Sequence, residues 1–338
     1  MHPVEAAWRK FRNSEHRGLL ERSFKLRQSF LDAIGLKLYP PEVALPLGVP
    51  WNLVAQAEAQ KGGKPLSTRL GASNSMLVNT IHVWAAYREA KNIYEIEPSL
   101  AECLARSPWP EQTPMQALRL PSRCPVLVIP RPEGGPCYVA AVYDLLTGEE
   151  HSGALELRIS EFMKAAQWWV PICVLHLNHD RLAECLDAAA AEAERHGAPA
   201  GEAERVWRNE LAGLTLTMLL YLGGEPDLAR IVHPGEKPLK ARIARTDPER
   251  YRDLAEPTVQ SVGKAFTRAI EQWEIEHRGD EGVATGRTIR PHMRRAHSHL
   301  YWTGAGRKQP RVKFLLPISV RGGALVEEPE QTQVALIR

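Results

Sequence analysis

Val126-Leu127-Val128-Ile129, Tyr138-Val139-Ala140-Ala141-Val142-Tyr143-Asp144-Leu145, Ala154-Leu155-Glu156-Leu157-Arg158-Ile159 and the run from Trp168 to Leu175 are short, apolar or alternating stretches. Gly, Pro and Glu separate them, with no helical segment in between. Close spacing of this kind predicts an antiparallel meander, because each strand returns directly beside the one before it.

Helices are expected on either side. Upstream, Trp8, Phe11, Leu20, Phe24, Leu31 and Ile34 recur mostly at helical steps. Tyr39-Pro40-Pro41 ends that segment, since a residue before proline is pushed out of the α region. A short helix is expected near Trp51–Ala59, and another, marked by Leu77, Ile81 and Trp84, runs to about Lys91. Downstream, Asp180 can cap a helix ending at His196-Gly197. The next carries Trp207, Leu211, Leu214 and Met218 on one face and stops at Gly223-Gly224. Val259, Val262, Phe266, Ile270 and Trp273 predict one more helix, and Ser298–Thr303 and Arg311–Ile318 the last two strands. This order argues for an α+β fold, a mainly antiparallel sheet with helices packed on one face, plus an N-terminal helical region. By texture the chain divides into an N-terminal helical region (1–120), an α+β core with the C-terminal strand (121–322) and a tail (323–338).

At 338 residues, with 44% apolar and 25% charged residues, the chain has a globular composition and room for two domains or one elaborated one. Its longest apolar runs, Ala165–Leu177 and Leu214–Leu222, fall short of a membrane span and include polar residues. Met1-His2-Pro3-Val4-Glu5 has no signal-peptide core, so a cytoplasmic location is expected. Five cysteines without a C-x-x-C pair argue against a disulfide framework or a thiolate zinc site. Charge is unevenly spread. Val283–Val326 holds nine Lys and Arg, three His and no acid, which leaves a net −6 on the remainder of a chain whose total is +3. An acid-free block of this kind suits an anionic partner such as RNA or an acidic peptide, or else pairs with acids elsewhere in the fold.

Within that block, Arg290-Pro291-His292-Met293-Arg294-Arg295-Ala296-His297-Ser298-His299-Leu300-Tyr301-Trp302-Thr303-Gly304 concentrates the chemistry. In a strand from Arg295, alternation puts Arg295, His297, His299 and Tyr301 on one face, and Leu300 and Trp302 on a face suited to a core. Four readings stay open: a metal site on His292, His297 and His299, a histidine acid/base site of ribonuclease type, a binding surface, and a structural histidine network. The nearby arginines oppose a divalent cation, and neither paired carboxylates nor a nucleophile accompany the histidines. Arginine forks with flat His and Tyr rings fit a binding surface best.

The same run, followed by Arg311-Val312-Lys313 and Pro317, resembles the C-terminal signature of a type V-A anti-CRISPR family. Leu219-Leu220-Tyr221-Leu222 with Glu225-Pro226-Asp227 is similar to the family's helix-end motif, and Val262-Gly263 also corresponds. Trp84, Tyr87-Arg88 and Ile93-Tyr94 resemble, more loosely, a helical stretch of the founder. The family's usual pattern has Trp between the paired histidines, where this chain has Ser298. The resemblance implies a protein of phages and other mobile elements that lowers the messenger RNA of the type V-A effector nuclease in a translation-dependent way. Its implied partner is the N-terminal peptide of the nascent effector, with the ribosome or mRNA as a further contact. No enzyme activity, cofactor, metal or membrane is expected, a histidine-dependent ribonuclease or a plain RNA-binding module being the alternatives. The candidate binding residues are Arg290, His292, Arg294, Arg295, His297, His299, Tyr301 and Trp302.

Overall fold

The computed structural model describes residues 1–33, 42–62, 72–107, 112–131, 135–145, 155–195, 202–224, 228–230, 252–253, 255–277, 292–294, 297–315 and 318–320. The four apolar runs form β2 (Pro125–Ile129), β3 (Cys137–Leu145), β4 (Leu155–Met163) and β5 (Trp168–His176), an antiparallel meander as expected. Three further strands extend it: β1 (Asn92–Ile96), β6 (Leu228–Arg230) and β7 (Thr258–Val262). The seven strands lie in the order β5-β4-β3-β2-β1-β7-β6, with β1 parallel to both β2 and β7. The fold is α+β with a mixed, largely antiparallel sheet.

Alternation along these strands feeds two cores. Leu127, Ile129, Val139, Ala141, Leu157 and Ile159 belong to one. Val126, Ala140, Val142, Phe162 and Trp169 belong to the other. A sheet that is apolar on both sides needs cover on both sides. The second core is covered by the N-terminal helices α1 (Pro3–Arg12), α2 (Arg17–Ala33), α3 (Gly48–Gly62) and α4 (Ala72–Ala90). The first is covered by α5 (Pro98–Ala105), α6 (Leu182–Arg195), α7 (Glu202–Gly223) and α8 (Lys264–His277). The N-terminal helices, read from sequence as a region apart, thus form the sheet's second layer.

The N-terminal layer is keyed by aromatics. Trp84 of α4 meets Trp169 edge-on at 5.3 Å and Phe162 at 5.8 Å, while Trp8 of α1 packs 5.8 Å from Trp84. Where the β4–β5 register slips between Ile159 and Ser160, α4 supplies polar partners. Asn79 Nδ2 donates to the Trp169 carbonyl at 2.8 Å, and the Trp169 amide donates to Thr80 Oγ1 at 3.0 Å. Side chains of α4 thus engage backbone groups of β5 two pairs from the irregularity, which would be costly to bury without partners.

Three sequence expectations are corrected. The first apolar segment is two helices, divided after Arg12 by a turn in which Ser14 Oγ donates to the Phe11 carbonyl. Ile93-Tyr94, expected in a helix, lies in β1, and Val259 and Val262 lie in β7. A three-residue step fits a helix face, but it also joins opposite faces of a strand, and here Val259 and Val262 enter different cores. Gly263 ends β7 at φ +96, and α8 begins at the next residue.

A Cβ at Gly263 would lie 2.6 Å from Leu100 Cδ2, and its backbone angle is one that L-residues rarely adopt. Gly263→Ala is expected to destabilise the protein by about 2–4 kcal/mol, measured by urea unfolding. A change under about 0.5 kcal/mol would show that the β7–α8 junction relaxes freely.

Candidate functional site

The signature segment forms a two-stranded ribbon, β9 (His297–Thr303) and β10 (Gln309–Leu315), closed by a turn through Gly304 and Gly306, both at positive φ. Its register pairs Leu300 with Val312 and Ser298 with Phe314. Opposed residues of an antiparallel pair share a face. Leu300, Val312 and Phe314 pack on the core beneath α7, with Phe314 meeting Tyr221 edge-on at 5.9 Å. At the end of α7, a Cβ on Gly224 would lie 3.0 Å from the Val312 carbonyl oxygen, so glycine permits the close approach of β10.

With one face pinned, the other is turned to solvent. His297, His299 and Tyr301 are exposed, and the His299 and Tyr301 rings are 4.5 Å apart. Lys313 lies opposite His299, and Arg311 opposite Tyr301, both exposed. These two cations belong to the signature but not to the candidate binding residues. Their alternation around buried Val312 was the available signal. Trp302 departs from expectation. Alternation gave it to the core side, yet it is 48% exposed, although Pro310, opposite it in the register, is buried. His292 and Arg294 lie on β8 (His292–Arg294), which pairs antiparallel with β11 (Ile318–Val320). Arg290 and Arg295 fall outside the described residues.

A family model described as AcrVA2-like, anti-CRISPR type V subtype A2 family, matches residues 94–322. The chain belongs to the AcrVA2-like family. The match takes in the whole meander, the ribbon and every candidate binding residue. A solved structure titled "Crystal structure of AcrVA2" shares the fold at a TM-score of 0.60 and 19% identity, covering 95% of this chain and 100% of that one. The shared architecture therefore reaches into the N-terminal helices, beyond the family match. No curated protein matches the sequence. Among the described residues, no helix is long and apolar enough to cross a membrane.

This AcrVA2-like protein holds a second concentration of charge at the β4–β5 end of the sheet. Arg158 bridges two buried carboxylates, with Nε donating to Asp144 Oδ2 at 3.0 Å and Nη2 2.5 Å from Glu156 Oε1. Asp144 Oδ1 also accepts from the Leu47 and Leu145 amides, at 3.0 and 2.8 Å. His176 Nε2 lies 3.6 Å from Glu156 and 3.7 Å from Glu192. Burial pushes Glu156 up to about 7, against the pull of Arg158, with Asp144 and Glu192 adding to the rise. Fully buried His82, with Nε2 3.8 Å from Asp144, is pushed down to about 4 by the same desolvation.

Two predictions follow from this geometry. Phe314→Ala is expected to cost about 1–2 kcal/mol and to speed amide exchange in β9–β10 while leaving β3 and β4 protected. Equal loss of protection in both regions would show that the ribbon does not open separately. The second concerns pH. Glu156 has a folded value above its ordinary 4.5, so its contribution is full at low pH and is lost as pH rises toward about 7. Glu156→Gln removes that loss. Its stability relative to the parent should rise by about 2–3 kcal/mol between pH 4.5 and 7.5 in urea titrations, and a flat difference would refute the assignment.

Proposed function

We propose that this anti-CRISPR protein lowers production of the type V-A effector nuclease by recognising the N-terminal peptide of the nascent chain and triggering decay of its message. The outward face of the β9–β10 ribbon is the recognition surface. The observation that supports this is the exposure of His297, His299 and Tyr301 on the face shared with Arg311 and Lys313. Flat rings and cationic donors read planar and anionic groups, while the opposite face is committed to the core. Arg290, His292, Arg294, Arg295 and Trp302 complete the surface in this reading. The protein acts by binding, without cofactor or metal, in the cytoplasm of the bacterial host. Host ribonucleases carry out the decay, and the gene travels on phages or other mobile elements.

A plain RNA-binding role is the second reading, favoured by the absence of acids from β9 and β10. In the primary reading such residues also serve the ribosome or mRNA, whose phosphates attract an exposed basic face.

The test is an effector gene with its first codons changed in two ways. Synonymous recoding should leave silencing intact, whereas substitution of the encoded residues should abolish it. The reverse result overturns peptide recognition in favour of message recognition. In parallel, the combined change His299→Ala, Tyr301→Ala and Lys313→Ala should restore effector mRNA about tenfold or more, consistent with loss of contacts worth about 1.4 kcal/mol or more. Melting should stay close to the parent's, because these residues are exposed. Full silencing by the folded triple variant would remove the ribbon from the mechanism.

A further inference from the structure

A cavity of about 300 Å3 lies where α1 meets β3, β4 and the turn between β4 and β5. Pro3, Val4, Ala6, Ala7 and Lys10 line it from α1, at the steps that share one face of a helix. Tyr138 and Phe162 line it from the sheet, one residue beyond the β3–β4 pair of Val139 with Glu161. Small side chains on the helix and flat rings on the sheet give the space apolar walls.

Its rim is cationic. Lys10 and Lys164 both line the cavity and are both exposed. Lys164 Nζ sits 4.6 Å from the centroid of the Tyr138 ring, within reach of a cation–π contact. The turn that carries Lys164 is held by its own hydrogen bonds. The Gln167 amide donates to the Met163 carbonyl at 2.8 Å, and Gln167 Nε2 donates to the Lys164 carbonyl at 2.6 Å.

Among the described residues, neither lysine enters an ion pair. The acids of the surrounding elements are engaged by other groups. Buried Glu5 accepts from Arg9 Nε at 2.9 Å and from the Tyr87 hydroxyl at 3.1 Å. Glu161 accepts from Arg131 Nη2 at 2.6 Å, and Glu95 lies 3.6 Å from His2 Nε2.

We propose that this cavity binds a small monocarboxylic acid with a short aliphatic or aromatic body. Its carboxylate sits between Lys10 and Lys164, and its body lies against Val4, Ala7 and Phe162. The walls set the class: apolar surface takes a hydrocarbon body, and two ammonium groups take a negative head. A free amine would meet two like charges at the rim. The volume is at the lower bound of ligand pockets, which sets the size. On binding, Lys164 exchanges its contact with the Tyr138 ring for the carboxylate. The site shares no residue with the β9–β10 ribbon, so it stands whether or not the ribbon reads a peptide.

Calorimetry on the full chain at low salt tests this with butanoate, octanoate and benzoate as probes. Octanoate or benzoate should bind at one per chain with a Kd below about 1 mM. Octanoate should bind about tenfold or more tightly than butanoate, because its added methylenes are buried. Lys10→Gln and Lys164→Gln, both at exposed positions, should each weaken octanoate by about threefold or more. Ala6→Phe, at a half-buried helix position lining the cavity, should fill it and abolish binding. The proposal is overturned if neither octanoate nor benzoate binds at about 10 mM, far weaker than an ordinary metabolite site. It is equally overturned if both lysine variants bind like the parent, or if octylamine binds as tightly as octanoate. Equal binding of inorganic phosphate and octanoate would reduce the site to surface charge and overturn it too. Tighter binding of the tripeptide acetyl-Ala-Glu-Ala-amide than of octanoate would overturn the free acid in favour of a polypeptide side chain.

Discussion

Strands β2 to β5 carry apolar side chains on both faces, and neither face can be left to water. Burying Leu157 requires the α5–α8 layer, and burying Phe162 requires α4. The two-residue period of a strand makes these demands inseparable, since slipping the register by one residue would exchange the two sets. The same constraint acts on the small ribbon at the C-terminal end. Val312 and Leu300 satisfy it against α7, and His299 and Tyr301 are turned outward as the necessary complement. The surface assigned to recognition therefore owes its orientation to the residues hidden behind it.

The meander was legible because each of its strands is bounded by turn residues and carries its period plainly. The parallel strands were not. Asn92–Ile96 follows directly on α4, leaving no punctuation to announce a change of state, and Thr258–Val262 places its valines at a helical step. Pairing of β1 with β2 and β7 depends on segments far apart in sequence, which local periodicity cannot report. The alternation of His297, His299 and Tyr301 was readable, as was their company of arginines. The partner strand's contribution was not, because it takes the register to show that Lys313 stands opposite His299. Trp302 failed for a different reason, since alternation gives the side of a strand but not which side chain of a pair is covered, and here Pro310 is buried while Trp302 is exposed.

Charge is handled in opposite ways at the two polar regions. On the ribbon, cations are held apart on an exposed face, where solvent screens their repulsion. At the β4–β5 end, carboxylates are drawn under the surface around one arginine, burial shifts Glu156 upward, and the burial of His82 keeps it neutral against the pull of Asp144. Stability in mildly acid solution thus reflects two opposed titrations. Neutral His82 is lost to protonation as pH falls, while Glu156 gains.

The contact between Gly224 and the Val312 carbonyl involves backbone on both sides. Nothing in it depends on which side chains the ribbon displays. Outward positions of β9 and β10 can accordingly change identity while the platform keeps its pose. Such an arrangement lets sequences sharing one scaffold diverge in the face they display, much as interchangeable bits fit a single handle.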